Sequence, residues 1–238
     1  MAYIYEYIRT RGYEPIHFEE YYARLDALAR KIFLAPFAIE REVLQRNIAE
    51  CLRNADCSPH TINAVYVRYN SNGTVEMECV DTLYDEFSLR ALRPHFFVCQ
   101  VSGELLTGNT SAKEALLELN RTTALASKQG VALWANEQGE ILAIDGAPVI
   151  AVFDNEVRFS RIGSGVEFEL AFGMAEKIKK NITREEILLS DIANAKELLY
   201  IDYRGITAVK SFELHHFMDI TAERIAKHVA ESEASQIF

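Results

Sequence analysis

With 238 residues, 49% of them hydrophobic and 25% charged, the chain holds enough apolar material for one large domain or two modest ones. A net charge of −10 without a basic stripe argues against a nucleic-acid partner. No apolar run is long enough for a signal peptide or a membrane span, so a cytoplasmic protein with no membrane partner is expected.

Residues 3–10, rich in Tyr and Ile, read as a strand, and Gly12 and Pro15 break it into a turn. Over 19–33 the residues Tyr22, Leu25, Leu28, Ala29 and Ile32 fall on one helical face. Pro36 separates this helix from a second near 38–54, with Ile39, Val43, Leu44, Ile48, Cys51 and Leu52 at the same period. Asn70-Ser71-Asn72-Gly73 between two strand-like runs is a hairpin signal. Val75, Met77 and Cys79 alternate with polar residues, as in a strand with one buried face. Residues 81–94 look irregular, and Asp81, Asp85 and Glu86 form a solvated acid cluster there. A strand is expected over 95–101.

The polar connector SGELLTGNTS marks a domain boundary, giving a small α+β domain over 1–101 and a larger one over 102–238. The second half begins with a helix after Ser111. Strands are expected near 131–136, 140–144, 148–153 and 156–159, then a helix over 165–180. Lys177, Lys179 and Lys180 mark its solvated end. Thr183-Arg184-Glu185-Glu186 reads as a capping box opening a further helical turn. Strands near 197–202 and 205–211 and a helix over 219–234 complete an α+β chain.

Glycine-rich phosphate loops, the GxSxG elbow and HExxH are all missing. Cys51, Cys57, Cys79 and Cys99 form no CxxC pair, so no metal site is signalled and reduced thiols are expected. His215-His216 are adjacent on a strand or loop, point apart, and read as surface or partly buried residues.

Three stretches carry a further signal. Residues 5–29, YEYIRTRGYEPIHFEEYYARLDALA, place Arg24-Leu25 on a helix after a strand and a glycine turn. Residues 113–142, KEALLELNRTTALASKQGVALWANEQGEIL, run from Lys113 through a helix to Gly130, then a strand and the turn Glu137-Gln138-Gly139. The third, YRGITAVKS, covers 203–211. Together they resemble the class IV, or fold-type IV, pyridoxal-phosphate enzymes, which include branched-chain and D-amino-acid aminotransferases and aminodeoxychorismate lyase.

The resemblance implies a two-lobed architecture, with a small α/β N-terminal domain and a larger C-terminal domain built on a β-barrel-like sheet core. It implies pyridoxal 5′-phosphate as cofactor, an amino or keto acid or aminochorismate-type substrate, aminotransferase or lyase chemistry, and a homodimer. The aromatic N-terminal residues Tyr3, Tyr5, Tyr7, Tyr13, Phe18, Tyr21 and Tyr22 suit such an interface or a core face equally. Lys113 is the implied imine-forming catalytic lysine, and Arg24 the arginine that clamps the phosphate. Gly165 and Val166 open the implied phosphate loop. Asp145 is the available acid for the pyridine nitrogen, because the matching position is Ala143. Glu167 and Asp202 stand where the family has hydroxyl-bearing residues. The sequence therefore leaves two readings open: an active class IV enzyme, or a non-catalytic relative that keeps the fold and dimer without the cofactor.

Overall fold

The structure is a computed structural model that describes residues 1–80, 89–90, 96–106, 108–127, 130–178 and 181–235. The acid cluster of Asp81, Asp85 and Glu86, the rest of 81–88, and Lys179 and Lys180 lie outside the described residues. The chain divides into two compact units, Met1–Asp85 with Gly108–Glu114, and Glu86–Thr107 with Ala115–Phe238.

The first unit is one antiparallel sheet with two helices. Its strands β1 (Tyr3–Arg11), β2 (Glu14–Pro15), β3 (Ile62–Asn70) and β4 (Val75–Val80) lie in the order β2-β1-β3-β4. The expected hairpin joins β3 to β4, and Gly73, at φ +85°, donates its N–H to Asn70 at 2.9 Å. Helices α1 (Phe18–Phe33) and α2 (Arg41–Asn54) follow the predicted periods with one rotation. On α1 the buried residues are Phe18, Tyr21, Leu25, Leu28 and Ala29, while Ile32 is exposed and Tyr22 half-buried. Tyr21 thus takes the core place expected of Tyr22. On α2 the buried residues are Leu44, Ile48 and Leu52, four apart, as an amphipathic helix requires.

Residues 108–114 join this unit through the free edge of β1. The Tyr5 N–H donates to the Asn109 carbonyl at 2.9 Å, and Ile4 bridges Thr110. Gly108 sits at φ +152°, and a Cβ there would lie 2.5 Å from Leu28 Cδ1, so a larger residue would have to displace the Leu28 side chain.

The second unit holds a six-stranded sheet in the order β11-β10-β9-β12-β13-β5 and a three-stranded sheet β6-β7-β8. The strands are β5 (Leu89–Arg90), β6 (Phe96–Gln100), β7 (Val131–Ala135), β8 (Ile141–Ile144), β9 (Val149–Val152), β10 (Glu156–Ser160), β11 (Asn181–Glu185), β12 (Glu197–Asp202) and β13 (Gly205–Ala208). Helices α3 (Ser111–Ser127), α4 (Val166–Ala175) and α5 (Ile220–Ser235) accompany them, and α3 starts in the first unit. β9 is buried on both faces. Ile150 and Val152 pack with Phe168 and Ala171 of α4 and Ile225 and Val229 of α5. Val149 and Ala151 pack with Leu133 and Ile144 of the smaller sheet.

Three expectations change. Among the described residues the sheets stay open and close no barrel. Helix α4 ends at Ala175 and tightens into a 3₁₀ turn over Glu176–Ile178. Thr183, Arg184 and Glu185 of the predicted capping box lie in strand β11, paired in parallel with β10 through Thr183 and Arg158. That pairing is tertiary and overrides the local capping signal. No helix among the described residues is long and apolar enough to cross a membrane.

Candidate functional site

Glu6 organises the site in the first unit. It lies on β1 between Ile4 and Ile8, so alternation aims it at the core side of the sheet, and it is only 5% exposed. Such a carboxylate needs partners. Arg24 Nε of α1 donates to Glu6 Oε1 at 3.0 Å, and Asn109 Nδ2 donates to Glu6 Oε2 at 3.1 Å. Lys113 Nζ in turn donates to Asn109 Oδ1 at 3.0 Å. The half-buried lysine sits in the first turn of α3, four residues beyond Asn109. Burial pulls its ammonium down from 10.5 to about 8; the Glu6 charge opposes this, and the Arg24 charge adds to it.

The next residue points to the other face. Glu114 accepts hydrogen bonds from the hydroxyls of Tyr3 and Tyr66, residues on the face of the sheet opposite Glu6. Tyr5 and Tyr21 are buried within the chain itself and serve as core residues.

Asp145, Gly165 and Val166 belong to the second unit. Strand β8 stops at Ile144, and Asp145 (φ +49°) and Gly146 (φ +76°) form a two-residue turn closed by paired Ile144–Ala147 hydrogen bonds. Asp145 is therefore a turn residue and not a further position on the strand carrying Ala143. Its carboxylate faces Arg121 at 3.4 Å and Arg204 at 3.7 Å. Arg204 also pairs with Asp202, Nη2 to Oδ2, at 2.6 Å. Two arginines thus balance two carboxylates. A cleft of about 300 Å³ opens beside Arg121, Asn120 and Asp145.

Gly165 caps α4 at φ +155°, a value that favours glycine, and Val166 is the buried first residue of the helix. The first turn carries Glu167, only 7% exposed, and Glu169. Acids suit a helix amino terminus, where the N–H groups are unpaired. Ala143 is 4% exposed and packs among Val101, Ala132, Trp134 and Leu142.

Neither a protein-family model nor a curated protein sequence matches the chain. Solved structures do. A branched-chain aminotransferase from Thermoproteus uzoniensis, solved with norvaline, superposes with a TM-score of 0.81 at 14% identity, over 99% of this chain and 86% of that one. A candidate 4-amino-4-deoxychorismate lyase from Legionella pneumophila gives 0.76 at 13%, over 98% and 90%. A hypothetical aminotransferase from Mycobacterium tuberculosis, in an α-ketoglutarate- and PMP-bound form, gives 0.76 at 12%, over 97% and 89%. The chain has the class IV aminotransferase fold.

The resemblance read from the three stretches holds at the level of fold. Pyridoxal phosphate, the cofactor this fold implies, fits the residues poorly. Within the first unit Arg24 already meets a carboxylate; within the second, Glu167 occupies the first turn of α4 and Ala143 offers no acid. At ~4 Å and an effective dielectric near 20, a phosphate charge against one carboxylate costs roughly 4 kcal/mol before relaxation.

Sequence reading placed Lys113 and Arg24 together but missed Glu6, Asn109, Arg121 and Arg204. A signal for Glu6 was present: a carboxylate at the period of Ile4 and Ile8 on a strand is either an error of phase or a paired charge.

Proposed function

We propose that this chain is a non-catalytic relative of the class IV aminotransferases, one that keeps their fold without cofactor-dependent amino-group chemistry. The observation that carries this reading is the Arg24–Glu6 pair, in which the implied phosphate clamp is engaged by a protein carboxylate at 3.0 Å. Lys113 then acts as a structural charge, bridged by Asn109 to the buried Glu6. One observation favours the other reading, an active enzyme on an amino or keto acid. An amine with its pKa near 8 is neutral in about a tenth of molecules at pH 7 and is a competent nucleophile.

Incubation with pyridoxal phosphate, removal of the free compound, borohydride treatment and peptide mapping separate the two. The non-catalytic reading expects no stoichiometric visible absorbance and no adduct on Lys113. A one-to-one adduct at Lys113, lost in Lys113→Ala, overturns it.

A further inference from the structure

A second polar cleft lies in the first unit, at the turn between β1 and β2 and along one face of α2. Its volume is about 650 Å³, within the range of small-molecule sites. Three arginines line it, Arg11 at the end of β1 and Arg46 and Arg53 on α2, against one acid, the exposed Glu14. That balance runs against the chain, in which 35 acidic residues outnumber 25 basic ones. Among the described residues none of the three arginines is in an ion pair. Three cations gathered with one carboxylate repel one another, a cost that a bound anion reduces.

The walls are held in place. Gly12 presses against the chain at Pro59, where a Cβ would fall 2.4 Å from the Pro59 carbonyl oxygen, and its N–H donates to Thr61 at 2.9 Å. Tyr13 donates its hydroxyl to the Cys57 carbonyl at 3.1 Å, and the Arg53 guanidinium lies 5.0 Å from the Tyr13 ring centre. On α2, Arg46, Ala49 and Arg53 stand at i, i+3 and i+7, so the small Ala49 floors a groove between two guanidiniums. Seven residues of helix separate their origins by roughly 10 Å. Arginine, with its planar fork of donors, suits phosphate and carboxylate oxygens better than a point charge does.

We infer that this cleft binds a small molecule carrying two anionic groups, phosphate or carboxylate. The inference is independent of whether Lys113 takes a cofactor. Calorimetric titration of the full chain at low salt with pyrophosphate, citrate and orthophosphate tests it. One of the two multiply charged probes binds with 1:1 stoichiometry and more tightly than orthophosphate. Arg46→Gln and Arg11→Gln each weaken that binding about tenfold, the scale of one charge-assisted hydrogen bond. Arg41→Gln, on the same helix but paired with Glu19, leaves it unchanged. Preference for pyrophosphate assigns the ligand to phosphate chemistry, and preference for citrate to carboxylate chemistry. No saturable binding of any probe, or undiminished binding in the exposed Arg46→Gln variant, overturns the inference.

Discussion

Lys113 and Glu6 do not form an ion pair; Asn109 stands between them, accepting from the lysine at 3.0 Å and donating to the carboxylate at 3.1 Å. The amide splits a charge pair into two polar links. Of the two cations, Arg24 meets Glu6 directly and Lys113 does not, so Lys113 is the surplus cation of the cluster, and its lowered pKa follows from burial.

The surplus charge has a pH signature. With a pKa of about 8 when folded and 10.5 as the ordinary value, the native state binds fewer protons than the unfolded chain between those pH values. Stability from this group therefore rises as pH climbs from 8 to 10.5, and the full penalty applies below 8. Lys113→Met removes the penalty and stabilises the protein by about 2 kcal/mol near pH 7, after discounting for partial exposure. Denaturant titrations of both proteins check this. The gain should shrink between pH 8 and 10.5, and a difference that stays flat with pH rules out the surplus-cation account.

Glu114 holds the opposite face. Burial, then the hydrogen bond and charge of Glu114, push the Tyr3 hydroxyl up to about 12, and burial and Glu114 raise Tyr66 further. Because the folded pKa of Tyr3 lies above its ordinary 10.0, its contribution to stability is complete below pH 10 and is lost as pH rises through 12. Glu114→Gln keeps the burial and removes the charge. Tyr3 ionisation, isolated by subtracting the ultraviolet titration of Tyr3→Phe, should move down yet stay above 10. An unmoved titration means that Glu114 does not set it.

The local elements were legible because their signals are local. Asn70–Gly73 carries its turn chemistry in four residues, and Leu44, Ile48 and Leu52 carry their own period. Thr183–Glu186 misled because a capping box and a strand edge look alike until β10 is known to lie beside it. Asp145, two residues beyond Ala143 in sequence, lies off the strand because Gly146 makes a turn possible there. Lys113 and Arg24 were found through the resemblance, whereas Glu6, which joins them, was hidden in an aromatic strand. A polar link such as Asn109 to Glu6, 103 residues apart, leaves no spacing to read.

A second buried acid also lay beyond sequence reading. Glu197, at the start of β12, is only 3% exposed and accepts the N–H groups of Thr221 (2.8 Å) and Ala222 (3.1 Å), capping α5 from 24 residues away. Glu197→Ala leaves these amides buried without an acceptor, at a cost of about 2–4 kcal/mol. Glu197→Gln, which keeps one acceptor oxygen, costs less. Urea unfolding with an unchanged slope measures both. Equal losses for the two variants point to packing and not to the cap.

The cysteines give the last test. All four are free, and Cys57 Sγ and Cys79 Sγ are 2.9 Å apart, brought together by the loop after α2 and by strand β4. Burial, then the neighbouring Cys57, pushes the Cys51 thiol up, which leaves it a poor competitor for oxidation. One equivalent of hydrogen peroxide should convert the Cys57 and Cys79 thiols to a disulfide, with the peroxide reduced to two waters. The thiol count falls by two, and a non-reducing peptide map joins residue 57 to residue 79. The cross-link closes a loop of about 20 residues and adds up to roughly 3 kcal/mol of stability by restricting the unfolded chain. Cys79→Ser abolishes both changes. A map that joins Cys51 to Cys57 instead shows that the helix end, not the sheet, holds the reactive partner.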